Sequence, residues 1–191
     1  SDSLTQLAAG YYLLEVTDMN GCHSSSSITL TESPQLALNI SSTSVGCYGD
    51  SSGSVSVAGV TGGTAPYAYH WDGQTSASSM VASLPAGTYA VTVTDYYGCT
   101  ATGTAIVTQP LQLVSALTTA LLPNGHHVAC HGDLTASIQS TVLGGTPPVN
   151  YIWSNGANTP DISGLPAGTY SLLVVDLNGC ISNQTVVITQ P

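Results

Sequence analysis

Three near-copies of one string recur along the chain, and they decide what it can fold into. Ala9-Gly10-Tyr11-Tyr12 leads to Asp18-Met19-Asn20-Gly21-Cys22, Ala86-Gly87-Thr88-Tyr89 to Asp95-Tyr96-Tyr97-Gly98-Cys99, and Ala167-Gly168-Thr169-Tyr170 to Asp176-Leu177-Asn178-Gly179-Cys180. The cysteines stand 77 and 81 residues apart. A second string occurs twice, Gly62-Gly63-Thr64-Ala65-Pro66 before Tyr69 and Trp71, and Gly144-Gly145-Thr146-Pro147-Pro148 before Tyr151 and Trp153. Cys47-Tyr48-Gly49-Asp50 is echoed by Cys130-His131-Gly132-Asp133, and units end at Pro34, Pro110 and Pro191. The chain therefore reads as the C-terminal part of one repeat (1–34) and two complete repeats (35–110 and 111–191). A unit of about 80 residues is large enough to hold a core of its own, unlike a solenoid repeat.

Within each unit short apolar runs alternate with period two. Tyr89, Val91 and Val93 form one face against Thr92 and Thr94, and Tyr12, Leu14 and Val16 repeat the pattern. Leu36, Leu38 and Ile40 make another stripe, and Val55 and Val57 a third. Such alternation between Gly, Pro and Asn punctuation predicts half-buried antiparallel strands, and no window of helical period competes. The fold class is all-β: tandem immunoglobulin-like β-sandwich repeats, with strands A near 35–42, B near 53–60, C near 67–72, E near 78–84, F near 88–95 and G near 100–109, and the same order in 111–191. Trp71 and Trp153 on strand C are the expected plugs between two sheets. Tyr12, Tyr89 and Tyr170, opening strand F, fit tyrosine corners, whose hydroxyl ties back to nearby backbone. The Asn-Gly pairs between F and G are expected to supply the positive φ of a hairpin turn.

The strings from Gly-Gly-Thr-x-Pro through Tyr-x-Trp, Leu-Pro-Ala-Gly-Thr-Tyr, Val-Thr-Asp-x-x-Gly-Cys and Thr-Gln-Pro resemble the SprB-type repeats of large gliding-motility surface adhesins, related to PKD-like sandwich modules. The resemblance implies secreted, cell-surface tandem arrays acting as stalks or adhesive filaments, and it brings no catalytic residues. Two features depart from it: the complete absence of Lys and Arg, and an insertion from Leu121 to His127.

That absence, against ten acidic residues and a net charge of −10, excludes nucleic-acid binding, which relies on basic side chains. The acidic groups are scattered and 42% of residues are hydrophobic, so disorder is not indicated. The apolar runs are strand-length, so no membrane insertion is expected. With no initiator Met and no signal-like segment, the chain reads as a mature segment or a window of a longer one.

His126, His127, Cys130 and His131 crowd six residues and have the chemistry of a zinc or copper site. The preceding unit has Ser44 and Cys47-Tyr48 there, so an ordinary A–B loop is the competing reading. Asp18, Asp95 and Asp176 occupy one turn position in every copy. Calcium is conceivable where Asp50 or Asp133 adds a second carboxylate at a junction, but a carboxylate capping a hairpin turn explains them with no ion, and no cofactor is required. No nucleophile elbow and no recurrent carboxylate pair is present, so an enzyme is not expected. Tyr48, Tyr96 and Tyr97 could stack on sugar rings, but their counterparts His131, Leu177 and Asn178 do not repeat the platform.

Five cysteines cannot all pair within the chain. In a tandem sandwich the A–B loop with Cys47 or Cys130 lies at the C-terminal pole, and the F–G turn with Cys22, Cys99 or Cys180 at the N-terminal pole. A Cys47–Cys99 bond would cross a strand of about 23 Å, against a Cα–Cα limit near 7 Å. Cys47 with Cys180, between repeats, is the favoured pair, leaving Cys22, Cys99 and Cys130 to partners outside the segment. Within-repeat pairing stays open if strand A is misplaced, as do free thiols.

The reading is a structural segment of an extracellular filament or cell-surface adhesin stalk, whose partners are neighbouring repeats of the same or adjacent chains. The alternative is a carbohydrate-binding accessory module of a secreted adhesin or glycanase, with surface polysaccharide as partner.

Overall fold

The computed structural model describes residues 3–191, so Ser1 and Asp2 of the first unit lie outside the described residues. Two strands, β1 (Gly10–Thr17) and β2 (His23–Leu30), form an antiparallel hairpin by themselves. Next come β3 (Ala37–Thr43), β4 (Gly53–Thr61), β5 (Ala68–Trp71), β6 (Met80–Leu84), β7 (Gly87–Thr94) and β8 (Thr100–Val107). The same six return as β9 (Val114–Thr119), β10 (Ala136–Leu143), β11 (Asn150–Trp153), β12 (Ile162–Leu165), β13 (Gly168–Val175) and β14 (Ile181–Ile188). None of the described residues forms a helix long and apolar enough to cross a membrane.

The six strands split into two three-stranded sheets, β3-β4-β6 against β5-β7-β8, and again β9-β10-β12 against β11-β13-β14. All pairings are antiparallel, as expected for an Ig-like sandwich. Val55 and Val57 from one sheet meet Val91, Val93 and Val107 from the other, around Trp71, in one buried cluster. Ile138, Leu172, Val174 and Ile188 surround Trp153 in the second. Each indole is closed in on every side but keeps its N–H satisfied, donating to the Ser78 carbonyl at 3.1 Å and to that of Thr159 at 2.8 Å. The three corner tyrosines donate to the carbonyl four residues back: Tyr12 to Ala8, Tyr89 to Pro85 and Tyr170 to Pro166.

Strand A does something that period-two patterning does not reveal. β3 shifts register between Asn39 and Ile40, and while it stays paired with β4 through Thr43 and Ser54 it also packs along β8 of the opposite sheet. The Ser42 hydroxyl donates to the Ile106 carbonyl and the Val45 amide to that of Thr108. One edge of the sandwich is thereby closed, which blunts a pair of otherwise open strands. Gly103 in β8 allows this approach, since a Cβ there would collide with Ile40 Cδ1.

The turns between β1 and β2, β7 and β8, and β13 and β14 have the expected positive φ, and it falls on the glycine of each. Gly21, Gly98 and Gly179 take φ of 84°, 85° and 83°, while neither Asn20 nor Asn178 has positive φ, and the middle copy makes the same turn with Tyr97. Glycine alone supplies the turn, so the asparagines are free for other work. The peptide bonds before Pro66 and Pro148 are cis, which nothing in the sequence reading anticipates.

Candidate functional site: the joint between repeats

The recurrent motifs converge on the poles of the sandwich. At the N-terminal pole of 111–191, Asp176 Oδ1 accepts the amides of Asn178 and Cys180 at 2.9 and 2.8 Å, and Oδ2 accepts that of Thr146 at 2.8 Å. Asp95 does the same with Tyr97, Cys99 and Thr64. Each carboxylate thus ties the F–G turn to the Gly-Gly-Thr turn before strand C. The amide of Leu177 returns a bond to the Thr146 carbonyl, and that of Tyr96 to Thr64. The Gly-Gly pair lies over the start of strand A, with the amides of Gly63 and Gly145 on the carbonyls of Pro34 and Leu111.

These contacts set the charge state of the aspartates. The Thr64 amide, opposed by burial and helped by the amides of Cys99 and Tyr97, holds the Asp95 carboxyl below its ordinary value. At Asp176 burial pushes upward, but the amides of Thr146, Cys180, Asn178 and Gly179 outweigh it and the carboxyl is again lowered. Asp18 Oδ1 holds the amides of Asn20 and Cys22 in the unit that lacks a partner sheet.

At the opposite pole the A–B loop is braced by the Thr-Gln-Pro string. Gly49 donates its amide to Gln109 Oε1 at 3.0 Å, and Gly132 donates to Gln190 Oε1 at 3.1 Å. The recurrence of Thr-Gln-Pro is the signal for this brace, although only its terminal Pro is readable as punctuation.

The two poles meet between the complete repeats. Cys47, at the bottom of the first, and Cys180, at the top of the second, are joined by a disulfide with Cα atoms 5.6 Å apart. Across the same joint Asn178 Nδ2 donates to the Gly46 carbonyl at 2.9 Å and also to Thr146 Oγ1. An open groove of about 310 Å³ beside the bond is lined by Tyr48, Gln112, Leu113, Gly179 and Ile181 with the two cysteines. The amide of Asn178 is the joint residue that sequence reasoning missed, because Asn-Gly is read first as a turn.

The remaining candidates are placed as follows. Cys22, Cys99 and Cys130 are free and exposed. The histidine cluster is not assembled as a ligand set: both ring nitrogens of His127 lie 2.9 Å from threonine hydroxyls, Nδ1 with Thr189 and Nε2 with Thr119. His127 therefore fastens the inserted loop to the ends of strands A and G, the task Ser44 performs on Thr108 in the first repeat. Asp50 and Asp133 lie in A–B loops, where Asp133 Oδ2 accepts the Cys130 amide and the Asp50 amide donates to the Cys47 carbonyl. Among the described residues no three His, Cys, Asp or Glu stand together as a metal site. Tyr96 and Tyr97 are exposed, but their rings meet edge to face at 81° and share no flat surface for a sugar ring.

Fold and joint together define the class, a tandem array of Ig-like β-sandwiches. In comparison with known families, two stretches are similar to the SprB repeat: the model of that repeat matches residues 39–76 and 127–158, one stretch in each complete unit. The matched stretches hold Cys47, Gly62 and Trp71 in one and Cys130, Gly144 and Trp153 in the other. No curated protein matches the chain. Among solved structures, the C-terminal 282-residue fragment of intimin, determined with the intimin-binding domain of its translocated receptor, is similar at 11% identity and a TM-score of 0.39. That likeness covers 83% of this chain and 64% of the fragment, so the chain spans less than two thirds of that structure.

Proposed function

We propose that this chain is a length of rigid stalk in an extracellular filament or cell-surface adhesin, a load-bearing spacer that performs no chemistry of its own. The observation that carries this reading is the Cys47–Cys180 bond, which staples the pole of one sandwich to the pole of the next. The connection between β8 and β9 runs through Pro110, whose ring fixes φ, so the linker adds little freedom. Disulfides persist in oxidising surroundings, which suits a place outside the cell. The absence of Lys and Arg removes the lysine–asparagine isopeptide bond as a means of stiffening, leaving β-sheet shear, disulfides and repeat contacts. Service in gliding motility belongs to the same proposal and rests on the resemblance to SprB repeats.

Imaging single molecules before and after reduction tests it. The oxidised chain should show one narrow distribution of angle between the complete repeats, and reduction should broaden it. Equal breadth in both states, or selective binding on a glycan array, would replace the stalk with a flexible or carbohydrate-recognising module.

A further inference from the structure

Four asparagines of this chain are followed by glycine: Asn20-Gly21, Asn124-Gly125, Asn155-Gly156 and Asn178-Gly179. In Asn-Gly a backbone nitrogen can attack the preceding side-chain carbonyl with the least hindrance, because glycine has no Cβ and turns freely. The glycine nitrogen bonds to asparagine Cγ, the Cγ–Nδ2 bond breaks, and ammonia leaves with the backbone amide proton, giving a five-membered imide. Water then opens the ring at one carbonyl or the other and leaves aspartate or isoaspartate. The sum is asparagine plus water to aspartate plus ammonia, and no electrons change hands.

One of the four is restrained. Asn178 Nδ2 donates to the Gly46 carbonyl at 2.9 Å and to Thr146 Oγ1 at 3.1 Å, so both of its protons are engaged. Cyclisation requires Cγ to swing onto the Gly179 nitrogen and Nδ2 to leave, and both bonds must open first. Gly46 adjoins Cys47 and Asn178 lies two residues before Cys180, so the disulfide keeps donor beside acceptor and each opening recloses. Among the described residues the Nδ2 groups of Asn20, Asn124 and Asn155 donate to nothing; Asn124 and Asn155 use only Oδ1, on the amides of His126 and Ala157. The Asn20 turn isolates the cause. Asp18 Oδ1 takes the amides of Asn20 and Cys22 as Asp176 Oδ1 takes those of Asn178 and Cys180, and Gly21 donates to the Asp18 carbonyl at 3.0 Å as Gly179 does to that of Asp176 at 3.1 Å. The backbone is alike in both turns, and the side-chain clamp across the joint is what differs.

We propose that Asn178-Gly179 is a deamidation site guarded by the joint between repeats, intact while Cys47 and Cys180 are bonded and converted once they are reduced. The inference deepens the stalk reading and rests on its joint. Conversion acts back on that joint. A carboxylate at position 178 has no proton for the Gly46 carbonyl and sets a negative charge against it, two residues from Asp176. Isoaspartate also routes the backbone through Cβ, displacing Cys180 from Cys47, whose Cα atoms must lie within about 7 Å to bond. Reduction alone is reversible; reduction followed by deamidation is not.

The test incubates the oxidised full chain and its Cys47→Ser variant at mildly alkaline pH, where the attacking nitrogen loses its proton more readily. Pepsin digestion in acid, chromatography and mass spectrometry then read asparagine, aspartate and isoaspartate at each site. In the oxidised chain Asn178 should convert at about one-tenth of the rate of Asn155 or less, the effect of two hydrogen bonds that must open first. In Cys47→Ser its rate should rise to that of Asn155. Asn178→Asp should weaken closure of Cys47–Cys180 in a glutathione redox couple by about fivefold. Tyr97 occupies the equivalent position of the first repeat, so the turn accepts other side chains, and tryptophan fluorescence verifies that this variant is folded. Equal rates at Asn178 and Asn155 in the oxidised chain, an unchanged rate in Cys47→Ser, or undiminished closure in Asn178→Asp would each overturn the guarded site and leave the stalk standing. Failure of Cys47–Cys180 to form in the unaltered chain would overturn both.

Discussion

Asp176 commits both carboxylate oxygens to backbone amides, and Asp95 copies it in the preceding repeat. Both carboxyls are lowered in the folded chain, so their contribution is fully present above the unfolded value, near 3.9, and is lost as pH falls through the folded one. Thermal unfolding midpoints should therefore drop below about pH 4, and the Asp95→Asn, Asp176→Asn double variant should drop less steeply from a lower starting point. An unchanged slope would assign the acid sensitivity to other groups. An asparagine offers one acceptor oxygen, so its NH₂ would face an amide donor on one side of the turn. The sequence marked these aspartates as turn caps but held no sign that their second oxygen reaches Thr64 or Thr146, about 30 residues earlier. The Gly-Gly pairs were equally visible as a motif and equally silent about cause. A Cβ on Gly144, at φ +70°, would strike the Gln112 carbonyl, whereas one on Gly156, at φ +87°, meets open space. Denaturant unfolding should find Gly156→Ala costing about 1–2 kcal/mol for its backbone alone and Gly144→Ala clearly more.

Among the strands, what was legible follows from how local each signal is. Strands F and G could be read because Tyr-x-Val-x-Val alternation and a Gly turn lie within some twenty residues of one another. The expected span of strand A nearly matched β3, yet its close packing on β8 depends on Gly103 about sixty residues away, a contact that no local pattern encodes. The inserted loop was read for its histidines, and tertiary contacts with Thr119 and Thr189 gave them another task. The β1–β2 hairpin shows the opposite case, a correct strand pair without the rest of its sandwich. Leu14, Val16 and Ile28 are 62%, 55% and 61% exposed, while Val91 and Val93 at the same positions of β7 are buried. A cavity of about 730 Å³ lined by Leu4, Leu7, Leu14 and Ile28 marks where a facing sheet would lie. Two strands alone are marginal in water. Amide hydrogen exchange should thus be fast throughout β1 and β2 and slow in β7 and β13; equal protection in a verified monomer would show that the hairpin is stable unaided.

At the scale of the whole molecule, the disulfide joins residues 133 apart in sequence while the poles they occupy touch. With one repeat folded, an unfolded neighbour is tethered at Pro110 and again at the disulfide, so its chain is a closed loop. Loop closure of this kind is worth about 2–4 kcal/mol. Differential scanning calorimetry should show Cys47→Ser lowering the melting of both complete repeats, although each keeps its own Trp-centred core. Lowering of neither would mean that the bond serves geometry alone. Tension reveals something else. Pulled from its two ends, the oxidised chain transmits force along β3 to Cys47, through the sulfur bridge to Cys180, and out along β14. The residues between the two cysteines, with their cores, hang beside the line of force as a side branch. Even if both sandwiches came apart, about 440 Å of chain would stay reeled in and could be released only by reducing the bond. A tether built of such links would lengthen under load by small, recoverable steps, with the thiol chemistry of its surroundings deciding how far it stretches.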